Sequence, residues 1–363
     1  MFKTDKFMNN EKKRITIKDI ALQAGVSKGT VDRVLHNRGE VSETSRQKVL
    51  QVAKQIGYKP NVYASLLASQ KKYFLACLIP SYNTGEYWEQ IALGLNAAQK
   101  KAEPYHISIQ IFTFNLFSVE SLQQAFDSLM EQHPDAVIMA PTHPEKARQL
   151  IKILNKEQIP CLLIDSYLSD CKYFTYIGMP MLKSGYLAAH LLVNQQHNPA
   201  IGIFQIHKEK QTSNNSADKR HEGFVQYLKD HHYNSPLIHE YIHPYDSAYN
   251  QQIFDRFFQT YPHIHHLITF NSRVHLIAEY LQKHPDLKVA LIGFDHLPKN
   301  LAGLKNGSIQ FLITQHTENL LSYCVETIIN YFIYQKTPDR QNFFIAMDIL
   351  TPFNADYYQN SFI

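Results

Sequence analysis

The chain has 363 residues, of which 44% are hydrophobic, and this length is sufficient for two or three folded domains. Its four cysteines lack CxxC spacing, so neither a zinc ribbon nor a redox pair is indicated. The sequence has no secretory segment and no apolar run of about 18 residues. We therefore expect a cytoplasmic protein without a membrane segment. Residues 1–72 carry 15 Lys and Arg against 6 Asp and Glu, whereas residues 73–363 carry 21 against 26, so we expect only the basic head to meet a polyanion; a solvated basic surface is the alternative.

The N-terminal region begins with MFKTDKFMNNEKKR, residues 1–14, which is polar and charged and is predicted to form a disordered basic arm. Thr16 and Asp19 follow with the spacing of a capping box, in which one side chain caps a helix and the other reaches back to it. Gly25 is expected to end this first helix, and Ser27 is placed to cap a second helix after a tight turn.

Two further short helices complete the head. The second helix is predicted at residues 28–35, and Ser42 can cap a third helix that ends at Gly57. Short, capped helices joined by tight turns in a basic segment are typical of a helix-turn-helix domain. We therefore assign residues 15–60 to an all-α DNA-binding headpiece.

The head resembles a known family almost from end to end. The segment ITIKDIALQAGVSKGTVDRVLHNRGEVSETSRQKVLQVAKQIGYKPN is similar to the DNA-binding headpiece of the lactose-repressor (LacI) family, with the AGVS turn, the TVDRVL recognition helix and the GYKPN exit in register. The resemblance implies a homodimer that binds near-palindromic operator DNA, because a two-fold protein presents two recognition helices.

The recognition helix carries the residues that would read the operator. Lys28 can donate to guanine in the major groove, Gly29 reads nothing and permits close approach, and Arg33 matches the arginine with which the family contacts bases. Asp32 stands where the family usually has serine, and we interpret it as orienting Lys28. The residues of the headpiece expected at DNA, as base or phosphate contacts, are Thr16, Ser27, Lys28, Gly29, Thr30, Arg33, His36 and Ser42.

Residues 61–72 match the family's hinge helix. The resemblance places Asn61, Ala64, Leu67 and Ala68 at the DNA, with Leu67 as the wedge that unstacks a base step in the minor groove. A helix this short is not stable alone, so its formation would depend on DNA and on the partner subunit. A plain linker is the alternative.

The remaining chain alternates short apolar runs with amphipathic stretches, which is typical of doubly wound α/β layers. The predicted strands are YFLACLIP, ISIQIFTF, AVIMAP, PCLLID, AIGIFQI, HLITF and VALIGFD. The predicted helices include EQIALGLNAAQKKA, SLQQAFDSLMEQH, EKARQLIKILNKEQ and SGYLAAHLLVNQQ.

Residues 73–356 resemble the type I periplasmic-binding-protein fold that the same family carries as its sensor and dimerisation domain. The similar pieces are IPCLLID, SGYLAAHLL, RHEGF, GFD and ITQ. The resemblance implies two α/β lobes that close on a ligand and are joined by three crossing strands. We assign the first lobe to residues 73–178 and 315–338, and the second lobe to residues 179–314 and 339–356.

The expected effector is a monosaccharide or a derivative, because side chains that pair with hydroxyl groups follow the strands. A planar guanidinium donates two bonds to vicinal hydroxyls or to a carboxylate, and carboxylates accept from hydroxyl pairs. The candidate effector-binding residues are Ser81, Asn83, Tyr87, Trp88, Asp165, Arg220, Asn271, Asp295 and Gln315.

Structural roles remain open for several of these residues. Trp88 can fill the core of a lobe, Asp165 can cap a helix, and Arg220 and Asp295 can be purely structural. The chain also has Met179-Pro180 where family members usually carry an acidic or amide residue, which departs from the family pattern in the second lobe.

Other functions lack the motifs that they require. The sequence has no GxGxxG, Walker or G-x-S-x-G motif, and His263, His265 and His266 lack a metal-ligand spacing, so we expect no catalytic residue, metal or cofactor. The polar residues at 212–220 are interpreted as a loop, and the C-terminal FNADYYQNSFI has no leucine heptads, which favours a dimer over a coiled-coil tetramer. A ligand-responsive transcription regulator is the favoured function, with a sugar-transport component or a sugar enzyme as alternatives; repressor or activator, and inducer or co-repressor, stay open.

Overall fold

The computed structural model describes residues 15–35, 39–58, 71–193, 198–206 and 215–358. These residues form two compact units that divide between Gln70 and Lys71, and each unit is described by itself. Several predicted features lie outside the described residues, namely the arm at 1–14, His36, most of the hinge segment, Asn61, Ala64, Leu67 and Ala68.

The head consists of three helices, α1 (Ile17–Ala24), α2 (Lys28–Leu35) and α3 (Glu43–Gln55), which confirms the predicted helix-turn-helix architecture. The Asp19 carboxylate accepts hydrogen bonds of 2.7 Å from both the backbone N–H and the hydroxyl of Thr16. Gly25 has φ of +66°, a left-handed conformation that glycine adopts without steric cost and that turns the chain into α2.

Serine side chains cap two helices of the head, and apolar side chains pack all three helices together. The Ser27 hydroxyl accepts a 3.1 Å bond from the Thr30 N–H at the start of α2, and Ser42 accepts from Ser45 at the start of α3. These caps satisfy backbone donors that the first helical turns leave without partners. The buried residues of the head are Ile20, Ala21, Ala24, Val31, Val34 and Val49.

The body contains two six-stranded sheets. The first sheet has the order β11-β5-β4-β3-β1-β2 and all its neighbouring strands are parallel. Its strands are β1 (Tyr73–Pro80), β2 (Ile107–Phe114), β3 (Ala136–Met139), β4 (Cys161–Ile164), β5 (Thr175–Gly178) and β11 (Asn342–Phe344).

The second sheet repeats this arrangement with the order β12-β10-β9-β8-β6-β7. Its strands are β6 (Ile201–Ile206), β7 (Leu237–Ile242), β8 (His266–Ile268), β9 (Ala290–Phe294), β10 (Phe311–Thr314) and β12 (Asp348–Leu350). Only β12 runs antiparallel to its neighbour among these described strands.

Helices cover both faces of each sheet, which confirms the two-lobed α/β fold class. Those of the first lobe are α4 (Tyr87–Leu93), α5 (Leu95–Ala102), α6 (Val119–Met130), α7 (Pro144–Lys156) and α13 (Leu320–Phe332). Those of the second lobe are α8 (Met181–Val193), α9 (Asn215–Asp230), α10 (Ser247–Thr260), α11 (His275–Lys283), α12 (Pro298–Lys305) and α14 (Ala355–Tyr358). None of the helices in the described parts of the chain combines the length and apolar character that crossing a bilayer requires.

Strand β1 shows why its sequence is continuously apolar. Leu75, Cys77 and Ile79 belong to the buried cluster on one face of the sheet, whereas Ala76 and Leu78 belong to the cluster on the other face. A parallel strand covered by helices on both faces buries every side chain, so no polar alternation remains. The carboxyl ends of the strands are then the positions at which polar side chains can gather.

The chain crosses between the lobes three times, after β5, after β10 and after β11. The last crossing corrects the predicted lobe boundaries, because β11 pairs with β5 and extends the first lobe to Phe344 rather than to residue 338. A strand of three residues has too few positions for a pattern in the sequence to reveal it. Ile345 donates a 3.0 Å bond to the carbonyl of Gly178, so two of the crossings are joined directly.

Two local predictions in the body also need correction. The helix predicted over EQIALGLNAAQKKA is divided at Gly94 into α4 and α5. The backbone of Glu318 approaches Gly94 so closely that a Cβ there would collide with it. Residues 215–220, predicted as part of a loop, form the first turns of α9. Polar residues there misled the prediction, because the buried face of α9 becomes evident only further along the helix.

Candidate functional site

The exposed face of α2 carries the predicted base-reading residues. Val31 and Val34 are buried in the head, whereas Lys28, Gly29 and Arg33 are exposed. Gly29 and Arg33 are four residues apart and lie one above the other on the face opposite the two valines. The helix therefore presents an exposed guanidinium one turn beyond a position without a side chain.

The remaining predicted DNA contacts of the described head lie at helix starts. Thr16, Ser27 and Ser42 are exposed and Thr30 is half-buried. The hydroxyls of Ser27 and Thr30 are 2.9 Å apart, and the Ser42 hydroxyl donates to Ser45 at 2.9 Å, so these side chains fix the first turns of α2 and α3. Helix N-termini in a basic segment are suited to binding phosphate groups.

In the body, two aspartates occupy equivalent positions in the two sheets. Asp165 directly follows β4 and Asp295 directly follows β9, and each of these strands is third from the corresponding edge of its sheet. Both residues have left-handed backbones, with φ of +65° and +68°, a conformation that aspartate tolerates better than most residues. Both side chains are almost fully buried, at 7% and 3% exposure.

Arg220 on α9 supplies the positive charge of this cluster. It is 3% exposed, its Nη1 donates a 2.9 Å bond to the carbonyl of Phe270, and its guanidinium lies 4.1 Å from the ring centre of Phe294. A desolvated cation above an aromatic face is favourably placed. The Nε of Arg220 has no hydrogen-bond partner within the described residues.

Two glycines allow α9 to bring Arg220 into this position. A Cβ on Gly185 of α8 would collide with the backbone oxygen of Arg220, and a Cβ on Gly223 of α9 would collide with the backbone oxygen of Leu182. The two helices therefore cross at a distance that only glycine permits at both sites. Gly185 belongs to the segment SGYLAAHLL and Gly223 to the segment RHEGF, so the two segments meet at this helix crossing in one lobe.

Residues of the first lobe and of a crossing segment complete the cluster. Gln315, which follows β10 and is fully buried, donates a 3.3 Å bond to the hydroxyl of Tyr87. The carboxylate of Asp165 accepts hydrogen bonds from the hydroxyls of Tyr87 and Ser216, and Ser216 belongs to the other lobe. The oxygens Gln315 Oε1 and Asp295 Oδ1 have no hydrogen-bond partner in the described part of the chain.

Burial dominates the electrostatics of the two carboxyl groups. Burial raises the pKa of Asp165 to about 6, although the Arg220 guanidinium opposes the rise and Asp295 adds to it. Burial also raises the pKa of Asp295 to about 6, again against the effect of Arg220. The pKa of the Tyr87 hydroxyl lies well above its ordinary value, first through burial and then through the nearby carboxylates. One buried guanidinium thus acts on two buried acids.

These raised pKa values predict that the ligand-free body loses stability as the pH rises. An Asp that ionises near pH 4 when unfolded and near pH 6 when folded binds more protons in the native state between these values, so the free energy of unfolding falls from about pH 4 to about pH 6. Asp295→Asn should flatten this fall, whereas the exposed Asp127→Asn should not. Urea unfolding across this pH range measures both, and equal slopes for Asp295→Asn and the unaltered chain would contradict the prediction.

The other predicted effector residues are placed differently. Ser81 and Asn83 are exposed, and the Asn271 side chain is used in its own turn, donating to Thr269 at 2.6 Å and accepting from Arg273 at 2.8 Å. Trp88 is 8% exposed within the apolar core of the first lobe and makes an edge contact with Tyr87.

Two residues of the cluster were not predicted from the sequence. Ser216 precedes Arg220 by four residues, a spacing that places both on one face of a helix, but the segment was interpreted as a loop. Tyr176 is fully buried, its hydroxyl donates to the carbonyl of Met179 at 2.7 Å, and its apolar surroundings in β5 gave no sign of a polar role. Within the described residues, no three His, Cys, Asp or Glu side chains are grouped so that they could hold a metal ion.

Comparisons with known proteins match both units of the chain. The family model of bacterial regulatory proteins, lacI family, matches residues 16–61, and the periplasmic binding protein domain matches residues 75–336. The Probable HTH-type transcriptional repressor ExuR of Bacillus subtilis (strain 168) is 27% identical to this chain. The match covers 62% of this chain and 63% of ExuR. The HTH-type transcriptional regulator MalR of Streptococcus pneumoniae is 27% identical over 79% of this chain and 86% of MalR.

Solved structures resemble the body. The crystal structure of a candidate LacI transcriptional regulator from Bacteroides fragilis is 32% identical with a TM-score of 0.75, and the match covers 79% of this chain and 100% of that chain. A periplasmic solute binding protein from Actinobacillus succinogenes 130z, solved with bound D-allose, has a TM-score of 0.65 at 16% identity over 79% of this chain and 100% of that one, which shows a shared fold alone. ExuR, MalR and the Bacteroides fragilis protein are transcription regulators and not enzymes. The chain therefore belongs to the lacI family of bacterial regulatory proteins and joins a helix-turn-helix headpiece to a periplasmic-binding-protein-like body.

Proposed function

We propose that this protein acts in the cytoplasm as a homodimeric regulator that binds a near-palindromic operator and releases or tightens it when a monosaccharide or sugar derivative enters the body. The observation that carries the proposal is the buried cluster of Asp165, Arg220, Asp295 and Gln315, in which a donor and two acceptors lack partners among the described residues. Buried polar atoms are normally hydrogen-bonded, so unpartnered ones in one cluster need a ligand or water.

A sugar suits this cluster because each of its hydroxyl groups both donates and accepts. The free Nε of Arg220 can donate to one hydroxyl oxygen, and the free oxygens of Asp295 and Gln315 can accept from others. The Tyr87 ring, whose hydroxyl accepts from Gln315, adds apolar surface beside the polar groups, and Trp88 packs edge-on against that ring. Pockets that combine apolar walls with a few directed polar groups are typical of small-molecule sites.

The two lobes supply the means of a response. Tyr87 and Asp165 come from the first lobe and Arg220 and Asp295 from the second, so a ligand touching both sets favours the closed arrangement by its difference in affinity. A ligand that favours the operator-bound arrangement is a co-repressor, and one that favours the other arrangement is an inducer. We assign the transmission of the lobe movement to the DNA to the hinge segment with its Leu67 wedge. This segment lies outside the described residues.

The composition of α2 supports DNA recognition. A Cβ on Gly29 would have only an ordinary contact, 3.7 Å from the Ser27 hydroxyl, so neither packing nor backbone conformation requires glycine there. Glycine inside a helix costs about 1 kcal/mol relative to alanine. A destabilising residue that the fold does not require, next to exposed Lys28 and Arg33, favours close approach of α2 to a partner such as the DNA major groove.

Arg33→Ala should reduce discrimination between the operator and a site altered at one base pair by roughly 1–3 kcal/mol, or about 5- to 150-fold, because a bidentate guanine contact is lost. Lys54→Ala removes the same charge from α3 and should weaken binding to both sites alike. Fluorescence anisotropy on the two duplexes measures both ratios. Unchanged selectivity in Arg33→Ala would show that another residue reads the base and would refute the role given to α2.

A further inference from the structure

An ion pair joins the two lobes at a point outside the buried cluster. Glu86, at the start of α4 in the first lobe, accepts a 2.9 Å bond from Arg273, which lies between β8 and α11 in the second lobe. The two side chains are 19% and 18% exposed, although they lie 187 positions apart in the sequence. Most surface ion pairs are more exposed and contribute little to stability.

Tyr245 turns this ion pair into a network of three residues. Its hydroxyl accepts from Arg273 at 3.1 Å and donates to Glu86 at 3.3 Å, and the Arg273 guanidinium lies 4.9 Å from the centre of the Tyr245 ring. The tyrosine itself is 60% exposed, so the network has one face towards solvent. A guanidinium above an aromatic face and beside a carboxylate is held in a defined orientation.

Each partner of the ion pair is built into a turn that also carries a candidate effector residue. Glu86 directly precedes Tyr87, and its second oxygen accepts a 3.0 Å bond from the backbone of Asn83. Arg273 donates its backbone N–H to the Asn271 side chain at 2.8 Å. A change in the ion pair is therefore transmitted to the positions of Tyr87 and Asn271.

The Glu86 side chain is ionised at neutral pH. Burial alone would raise the pKa of Glu86, but the Asn83 N–H and the Arg273 guanidinium together hold it below its ordinary value. The Glu86 carboxylate is thus ionised in the conditions in which DNA binding is measured.

We propose that Glu86, Arg273 and Tyr245 form an inter-lobe clasp that holds the body closed without effector and positions Tyr87 and Asn271 across the cleft. The clasp itself is independent of the regulatory role, whereas its effect on effector access rests on the proposed function. Glu86 and Arg273 are positioning residues, because they act through the turns that carry their neighbours and hold the two lobes at a fixed distance.

The only tryptophan of the chain provides a measurement that needs no effector. Trp88 lies two residues beyond Glu86, is 8% exposed and packs edge-on against Tyr87, whose hydroxyl bonds to Gln315 between the lobes. Opening of the lobes should withdraw this cover and expose Trp88 more to acrylamide. We expect Glu86→Gln and Arg273→Met each to raise the Stern–Volmer quenching constant of the full chain by about twofold or more, because the closed population falls. Lys299→Met, which breaks an exposed ion pair with Glu279 inside the second lobe, should leave the constant unchanged.

A double variant separates a clasp from two unrelated structural effects. If the two residues act together, Glu86→Gln/Arg273→Met should quench no more than either single variant, since removing one partner already breaks the pair. Added salt should raise quenching in the unaltered chain and not in the double variant. Circular dichroism confirms that each variant is folded.

The clasp would be overturned by unchanged quenching in both single variants or by additive increases in the double variant. It would also be overturned if salt changed quenching equally in the unaltered chain and in the double variant. The assay contains neither DNA nor sugar. Its failure would therefore leave the proposed regulatory function to be judged by operator binding alone, and a failure of operator binding would not affect the clasp.

Discussion

Replacing Arg220 with methionine is expected to abolish the response to effector while leaving operator affinity without ligand within about twofold. A hydrogen bond to a charged group contributes about 1.5–3 kcal/mol, so losing the bond from the Nε of Arg220 lowers sugar affinity by about 10- to 150-fold. The DNA-reading surface on α2 belongs to the other compact unit and keeps its residues. Asp295→Ala should have the same effect on the effector response, because it removes an unpartnered acceptor of the cluster.

A thermal-shift screen against neutral monosaccharides measures this loss. A sugar at about 100 times its dissociation constant stabilises the unaltered chain by roughly 2.7 kcal/mol, and the stabilisation should fall to about 1.4 kcal/mol or less in Arg220→Met. Arg256→Met is the matched control, because Arg256 is an exposed arginine of the same lobe, paired with Glu240, and its loss should preserve the shift. A full thermal shift in Arg220→Met would place the effector site elsewhere.

Gly223→Ala is expected to destabilise the body by about 2 kcal/mol or more, even though alanine favours helices over glycine by about 1 kcal/mol. The added methyl group meets the backbone oxygen of Leu182, which cannot rotate away as a side chain could. Helices α8 and α9 must then move apart, and Arg220 moves with α9. Sugar affinity should therefore fall together with stability.

Urea unfolding followed by circular dichroism tests this expectation, with Glu222→Ala as the control. Glu222 is the exposed neighbour of Gly223 on α9, so its replacement should change the free energy of unfolding by no more than about 0.5 kcal/mol. If Gly223→Ala is as stable as the control, the close crossing of the two helices does not determine where Arg220 lies.

Local signals made the head predictable in detail. At Ser27 and Ser42 the side chain accepts from the backbone N–H three residues later, and at Thr16 the backbone N–H donates to the Asp19 side chain. These spacings are visible in the sequence. The long apolar strands of the body were equally clear, because burial on both faces leaves uninterrupted hydrophobic runs such as YFLACLIP. Strands β11 and β12 have three residues each and carry no such signal.

The effector cluster was predictable only in part. Asp165, Asp295 and Gln315 follow strands, and parallel strands end at the same edge of each sheet, which the sequence pattern already implies. Arg220 instead comes from α9, and its position depends on the close crossing of α8 and α9. The pairing of Glu86 with Arg273 across the lobes depends on how far the lobes close, and no local pattern encodes that distance.

The proposed function requires that one chain both binds an operator and alters that binding when a sugar occupies the body. Fluorescence anisotropy tests both properties when the full chain is titrated onto the DNA upstream of its own gene. The titration is repeated with the monosaccharide that gives the largest thermal shift. We expect specific binding over random DNA and a change in operator affinity of at least about tenfold on adding that sugar, with no change in Arg220→Met. If operator affinity were identical with and without a sugar known to bind the body, the proposed regulatory function would be contradicted.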